Sequence, residues 1–266
     1  MNIKIIIKKI LSYFNIYVFK SNRSKVSEFL KKIKIFDTGH KLISIGDSES
    51  DGTYLIPDVL DHVKYCFSPG VGESTIFEDN LKKRNIQCFL ADGTITKENI
   101  SNINFDFINK NINTFTDDKN IKIEDWINLK IKNKDEQKNL LLQMDIEGCE
   151  YEVLLDLDKN ILRKFKILVI EFHDFYNLGS QAGVDLFLNI FNKILDDFYI
   201  CHIHPNNCCG YTYINKTLIP QVMEFTFINK NDVKKVDKLK YKLPHDLDIK
   251  NVKNLNDLKL PNIFYT

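Results

Sequence analysis

Leu140-Leu141-Leu142-Gln143-Met144-Asp145-Ile146-Glu147-Gly148-Cys149-Glu150 decides the fold. A dense apolar run ends abruptly at an acid. Glu147-Gly148 follows, and then Val153, Leu154 and Leu157 recur at helical spacing. A short run apolar on both faces that leads into a helix is the unit of a parallel sheet covered by helices. Working outward, Lys166–Phe172 is a second such run and ends at His173-Asp174. Lys64–Ser68 runs into Pro69-Gly70-Val71-Gly72, and Gln87–Ala91 stops at Asp92-Gly93. Ile103–Ile108, Phe198–His204 and Val222–Ile228 are further strand candidates. Between them lie helical patterns: Ile76, Phe77 and Leu81; Ile123–Ile127 with Trp126; and Val184–Leu195. Leu42–Gly46 and Gly52–Pro57 predict two short strands around the polar turn Asp47–Asp51. The expectation is an α/β, Rossmann-like fold with helices on both faces.

Composition narrows the classes. The 37 basic and 36 acidic residues nearly cancel, so no global field draws in nucleic acid. An apolar share of 44% excludes extensive disorder at this length. The six cysteines include no Cys-x-x-Cys pair, and Cys66 and Cys88 sit inside strand-like runs. That usage fits reduced thiols and a cytoplasmic setting better than a disulfide framework. No signal-peptide cleavage pattern, internal repeat or Gly/Ser linker is visible.

Residues 1–38 stand apart as a basic amphipathic helical segment, 39–230 form the main domain, and 231–266 form a basic polar tail expected on or near it. Up to residue 35 nine Lys and Arg face Glu28 alone. Ile3, Ile6, Ile7, Ile10, Phe14 and Val18 repeat at helical spacing, and the interspersed lysines exclude a membrane span. Two readings follow: a helix packed on its own domain or on a twin subunit, or an interfacial helix on an anionic membrane. The second makes the protein peripheral at the inner membrane surface.

Ligands of parallel α/β sheets bind beyond the carboxyl ends of the strands, so a site is expected where these strands end. Gly, Asp, Glu, His and Asn gather there. Gly70-x-Gly72 suits a tight turn that a ligand can approach. Ser74 and Thr75 follow it, so no third glycine completes a dinucleotide fingerprint. Asp92 suits the hydroxyls of a ribose, with a helix N-cap as the alternative. Glu150 fits the start of a helix, which favours carboxylates. Asp145, as the last residue of a buried strand, has no such structural excuse.

Taken in order, these segments resemble the FkbM-type S-adenosylmethionine-dependent methyltransferases. The resemblance is carried by Asp51-Gly52-x-Tyr54 with Pro57-Asp58, by Phe67-Ser68-Pro69-Gly70-Val71-Gly72, and by Ala91-Asp92. It continues through Met144-Asp145-Ile146-Glu147-Gly148-x-Glu150, Glu171-Phe172-His173, His204-x-Asn206-Asn207 and Glu224-Phe225-Thr226-Phe227. It spans roughly residues 40–230. It implies a class I methyltransferase sheet of seven strands, the last antiparallel. It implies that Gly70 and Gly72 line the methionine part of S-adenosylmethionine, that Asp92 holds its ribose, and that Asp145 sits beside the sulfonium. Tyr54 joins the implied cofactor contacts. The acid usual before the glycine turn is replaced by Phe67-Ser68-Pro69, which leaves Asp51 or Glu73 to hold the cofactor's amino group. Members often methylate sugar hydroxyls, so the expected activity is O-methylation of a sugar in a surface glycan, capsule or lipopolysaccharide, or of its nucleotide-linked precursor.

A neutral hydroxyl needs activation. His173 suits a general base beside Asp145, because imidazole titrates near neutrality. A divalent metal, magnesium or manganese, is the competing activator, with Asp145, His173 and Asp174 as candidate ligands and His204 or Asn206 nearby. Three rivals are weaker. Gly46-Asp47-Ser48 resembles a serine esterase opening but has no Asp-x-x-His partner. A nicotinamide-dependent oxidoreductase on a nucleotide sugar lacks its third glycine. A non-catalytic glycan-binding scaffold has no need of Asp145 and His173 at adjacent strand ends. A homodimer is compatible with all of these readings.

Overall fold

The computed structural model describes residues 3–18, 20–47 and 52–265. Seven strands form one sheet: β1 (Tyr65–Pro69), β2 (Gln87–Ala91), β3 (Asp106–Ile108), β4 (Leu140–Met144), β5 (Phe165–Phe172), β6 (Phe198–Pro205) and β7 (Met223–Asn229). Their spatial order is β6-β7-β5-β4-β1-β2-β3. Strands β5, β4, β1, β2 and β3 pair in parallel, while β7 runs antiparallel to both β5 and β6. The chain enters the sheet at its middle, winds outward to β3, returns to β4 and winds the other way. The switch point falls between β1 and β4, where such sheets open a crevice at their carboxyl ends.

The helices are α1 (Ile3–Tyr13), α2 (Arg23–Lys32), α3 (Ile76–Lys82), α4 (Ile123–Lys130), α5 (Glu150–Asp156), α6 (Lys159–Leu162) and α7 (Gln181–Leu195). On one face of the sheet α2, α4, α5 and α7 bury Phe29, Trp126, Leu154, Phe187 and Phe191 against Phe172, Phe225 and Phe227. Phe191 lies edge-on to Phe29 at 5.1 Å and to Phe225 at 5.3 Å. Such pairs add about 0.5–1.5 kcal/mol each beyond the area they bury. On the other face α3 and the antiparallel hairpin Leu42–Ile45 with Tyr54–Pro57 cover Cys66, Leu90, Leu141 and Val169. Cys66, Cys88 and Cys201 are buried there, as apolar fillers.

Some elements differ from the sequence reading. Strand β3 starts at Asp106 rather than Ile103, because Ile103 faces solvent while Phe105 turns inward. Helix α1 stops at Tyr13, and none of its residues is fully buried. Helix α2 packs on the domain, against α7. Asn22 caps it, Val26, Phe29 and Leu30 are buried, and Lys25 pairs with Asp185 of α7. The tail is held by a two-residue pairing of Phe36–Asp37 with Asp237–Lys238 and by the burial of Leu260 and Phe264. One disulfide joins the adjacent residues Cys208 and Cys209, where reduced thiols were expected. It closes a ring within one turn and ties no two elements together. No described helix is long and apolar enough to cross a membrane.

Candidate active site

The crevice at the switch point is a cavity of about 680 Å³, well within the range of small-molecule sites. Its floor comes from the ends of β1, β2 and β4. The turn after β1 carries Gly70 at φ +78° and Gly72 at φ +59°. The two glycines do different work. A Cβ on Gly70 would lie 1.5 Å from the Asp145 carbonyl oxygen, so Gly70 lets the ends of β1 and β4 close on each other. A Cβ on Gly72 would meet nothing within 4 Å, so its face is open to a ligand. The Gly70 N–H donates to the Ala91 carbonyl at 2.9 Å, and the Asp145 N–H to that of Pro69 at 3.2 Å. The three strand ends are thereby stitched into one rim.

Asp92 starts no helix. Its Oδ1 accepts from the Thr94 N–H at 2.7 Å and the Thr94 hydroxyl at 2.6 Å, and its Oδ2 accepts from the Gly72 N–H at 3.1 Å. The carboxylate is fixed against the glycine turn in the cavity wall, and Oδ2 retains a lone pair for a further donor. Tyr54 also lines the cavity and accepts from Gln143 Nε2 at 3.3 Å. Glu73 lines the rim but is exposed. Asp51 lies outside the described residues, and so does Ser48 of the esterase-like tripeptide.

Asp145 and His173, 28 positions apart in the chain, are brought together by the adjacency of β4 and β5. His173 Nε2 stands 3.8 Å from Asp145 Oδ1, 3.5 Å from Glu147 Oε2 and 3.9 Å from Glu171 Oε1. Its Nδ1 lies 3.2 Å from Glu150 Oε1. Glu150 is fully buried, and the same oxygen accepts from the N–H groups of Ile146 at 3.0 Å and Gly148 at 3.2 Å. One carboxylate therefore closes the turn after β4 and orients the imidazole. Glu147 (φ +55°) and Gly148 (φ +99°) are both left-handed. That conformation costs a non-glycine residue about 1–2 kcal/mol, and it swings Glu147 to the rim. Burial pulls the His173 pKa down, but the hydrogen bond and charge of Glu150, with Asp145 and Glu147, outweigh it and hold the pKa above its ordinary value.

Among the described residues Asp145, Glu147 and His173 form a group whose ligand atoms all lie within 4.8 Å of one another. This donor set of one imidazole and two carboxylates fits a hard or borderline divalent ion. The Glu150 contact supports the fit, because a ligating histidine usually gives its other N–H to a carboxylate. Glu147 stands where Asp174 was expected; Asp174 adopts φ +57°. His204 and Asn206 are engaged elsewhere. Asn206 Nδ2 donates to Glu171 Oε1 at 2.9 Å, and His204 Nδ1 meets Glu224 Oε2 at 3.2 Å. Asn251 of the tail donates to Glu224 at 2.6 Å, and His202 meets Asp248 at 2.8 Å.

The sequence reading passed over Glu78 and Gln143, and gave Glu150 only a place at a helix start. Glu78 lies one residue after Phe77 and three before Leu81, both buried, and an acid on that face of a helix was the available signal.

The family model described as the methyltransferase FkbM domain matches residues 71–213, more than half of the chain. No curated protein matches. Among solved structures, a mutant of Spodoptera frugiperda DNMT2 aligns at 13% identity and a TM-score of 0.37, covering 70% of this chain and 57% of that one. The mitomycin 7-O-methyltransferase MmcR aligns at 9% identity and 0.29, covering 77% and 54%. An antibiotic-related methyltransferase aligns at 13% identity and 0.26, covering 64% and 89%. The chain thus spans little more than half the length of the first two.

Proposed function

The chain belongs to the methyltransferase FkbM domain family, and from that premise we propose that it transfers the methyl group of S-adenosylmethionine to a hydroxyl of a sugar, in a surface glycan or its nucleotide-linked precursor. The observation that carries the acceptor chemistry is the Asp145–His173 pair, 3.8 Å apart at the rim of the cofactor-sized cavity. In this reading Gly72 leaves the backbone open to the methionine portion and Asp92 receives the ribose. Bound in this cavity, S-adenosylmethionine would supply an electrophilic methyl group to the acceptor oxygen and would leave as the neutral thioether. The hydroxyl proton leaves to the Asp145–His173 pair. Glu150 fixes the imidazole so that only Nε2 faces the acceptor. Holding the reactants in line can supply roughly 7–11 kcal/mol of the barrier, and proton removal adds about 10²–10⁴-fold.

The same residues fit a magnesium or manganese ion, held by Asp145, Glu147 and His173. Such an ion lowers the pKa of a bound hydroxyl and clamps neighbouring oxygens. The test is incubation with methyl-labelled S-adenosylmethionine and a panel of sugars, nucleotide sugars and glycans. Label in a sugar ether, with stoichiometric S-adenosylhomocysteine, is the expected result. Turnover only on amines, carboxylates or nucleic acid refutes the sugar reading.

We also propose that residues 3–18 rest on an anionic membrane surface. Ile3, Ile7, Ile10, Phe14 and Tyr17 all face solvent beside Lys4, Lys8 and Lys9. An apolar stripe flanked by lysines suits a negatively charged lipid interface.

A further inference from the structure

We propose that Glu78 is the residue that receives the cofactor's methionine ammonium. This assignment rests on the S-adenosylmethionine reading and names the partner of one of its charged groups. Ser68 stands just before the glycine turn, where the FkbM resemblance leads one to expect an acid. The Ser68 hydroxyl donates across to Glu78 Oε1, so a carboxylate reaches this spot from α3 rather than from β1. Glu78 is 2% exposed and lines the cavity. Its Oε2 is buried and makes no hydrogen bond.

A buried carboxylate oxygen without a donor is costly, and its natural complement is a cation. S-adenosylmethionine brings one primary ammonium, at the end of the molecule away from the ribose. Asp92 marks the ribose end of the cavity wall, at the β2 terminus. Glu78, Ser68 and Gln143 mark a polar corner on the β1–β4 side, roofed by Tyr54, whose ring packs edge-on to Phe77 at 5.5 Å. Glu73, the earlier candidate for this role, is exposed. An ammonium there would be paired in high dielectric, where ion pairs contribute little. Asp145 already faces the His173 imidazole. Burial pushes the Glu78 pKa up to about 7 despite the Ser68 hydrogen bond, so near neutrality a proton competes with an incoming ammonium.

Calorimetric titration of the full chain tests this, using S-adenosylhomocysteine and methylthioadenosine, which keeps the nucleoside and thioether but has no amino-acid end. Glu78→Gln preserves shape and can still accept from Ser68. It is expected to weaken S-adenosylhomocysteine roughly 30-fold or more while leaving methylthioadenosine within about twofold. In the wild type, affinity for S-adenosylhomocysteine should fall as pH drops below about 7, and in Glu78→Gln this slope should vanish. Equal loss of both ligands, or unchanged S-adenosylhomocysteine affinity, overturns the assignment. Wild-type protein that binds neither ligand overturns the cofactor reading and the assignment with it. Wild-type binding of both, with Glu78→Gln indistinguishable, removes Glu78 alone.

Discussion

Glu150 Oε1 lies 3.2 Å from His173 Nδ1 and accepts from the backbone N–H groups of both Ile146 and Gly148. One buried oxygen thus sets the loop that carries Glu147 and the ring that faces Asp145. An isosteric change there should disturb geometry more than binding. Glu150→Gln can still accept through its Oε1. With no second carboxylate oxygen and no charge, it holds the imidazole less firmly. The expected outcome is a fall in kcat of about 10–100-fold, the usual size of such effects, with the KM for S-adenosylmethionine within about twofold. Steady-state kinetics separates the two, and a parallel loss in KM would mean that Glu150 supports only the fold.

His173→Ala should lower turnover by about 10²–10⁴-fold and leave S-adenosylhomocysteine affinity intact. Exhaustive chelation tells a lone base from a metal-assisted one. If an ion is held by Asp145, Glu147 and His173, chelated wild-type protein should lose turnover and recover it with added manganese. Glu147→Gln should then raise the manganese concentration needed. Full turnover after chelation assigns activation to the imidazole and carboxylate alone.

Glu78 also leaves a mark on stability. Its folded-state pKa, about 7, is above the value of 4.5 expected for an unperturbed glutamate. The fold therefore favours the protonated acid, and stability falls as pH rises from about 4.5 to about 7. At about 1.4 kcal/mol per pH unit the loss is of order 3 kcal/mol. Glu78→Gln should accordingly raise the Tm of ligand-free protein at pH 8 by several degrees, while changing it little at pH 4. Thermal melts at the two pH values check this; a lower Tm at pH 8 would show that ionised Glu78 is well solvated.

The exposed face of α1 predicts lipid binding. Sedimentation with phosphatidylglycerol vesicles should deplete the protein, and vesicles of phosphatidylcholine should not. Ile7→Glu with Ile10→Glu should abolish the effect without changing methyl transfer to a soluble acceptor. If the wild type ignores both vesicle types but dimerises, and the double variant is monomeric, the face joins two copies of the chain.

Much of this molecule could be read before its shape was known. Strands β2 and β4 match their apolar runs to the residue, because a strand buried on both faces leaves no ambiguity of phase. The closeness of Asp145 and His173 followed from two such runs ending in polar residues. Glu78 and Glu150 were harder. Each lies on a helix whose neighbours could hold an acid at the surface, and only the packing of α3 and α5 on the sheet turns them inward. The start of β3 was misjudged because Ile103 and Phe105 share an apolar stretch but face opposite ways. Helix α1 shows the converse: its periodicity is real, but periodicity does not say what meets the apolar side.

Gly70 has a consequence that reaches beyond its turn. The Asp145 carbonyl occupies the space a side chain would need, so the ends of β1 and β4 meet as a single wall of main-chain atoms. The spacing of the two strand ends is therefore gauged by peptide against peptide, like the fixed jaw of a caliper. Loops around the rim can change without resetting that spacing, whereas any side chain at this one position resets it for the whole cavity floor.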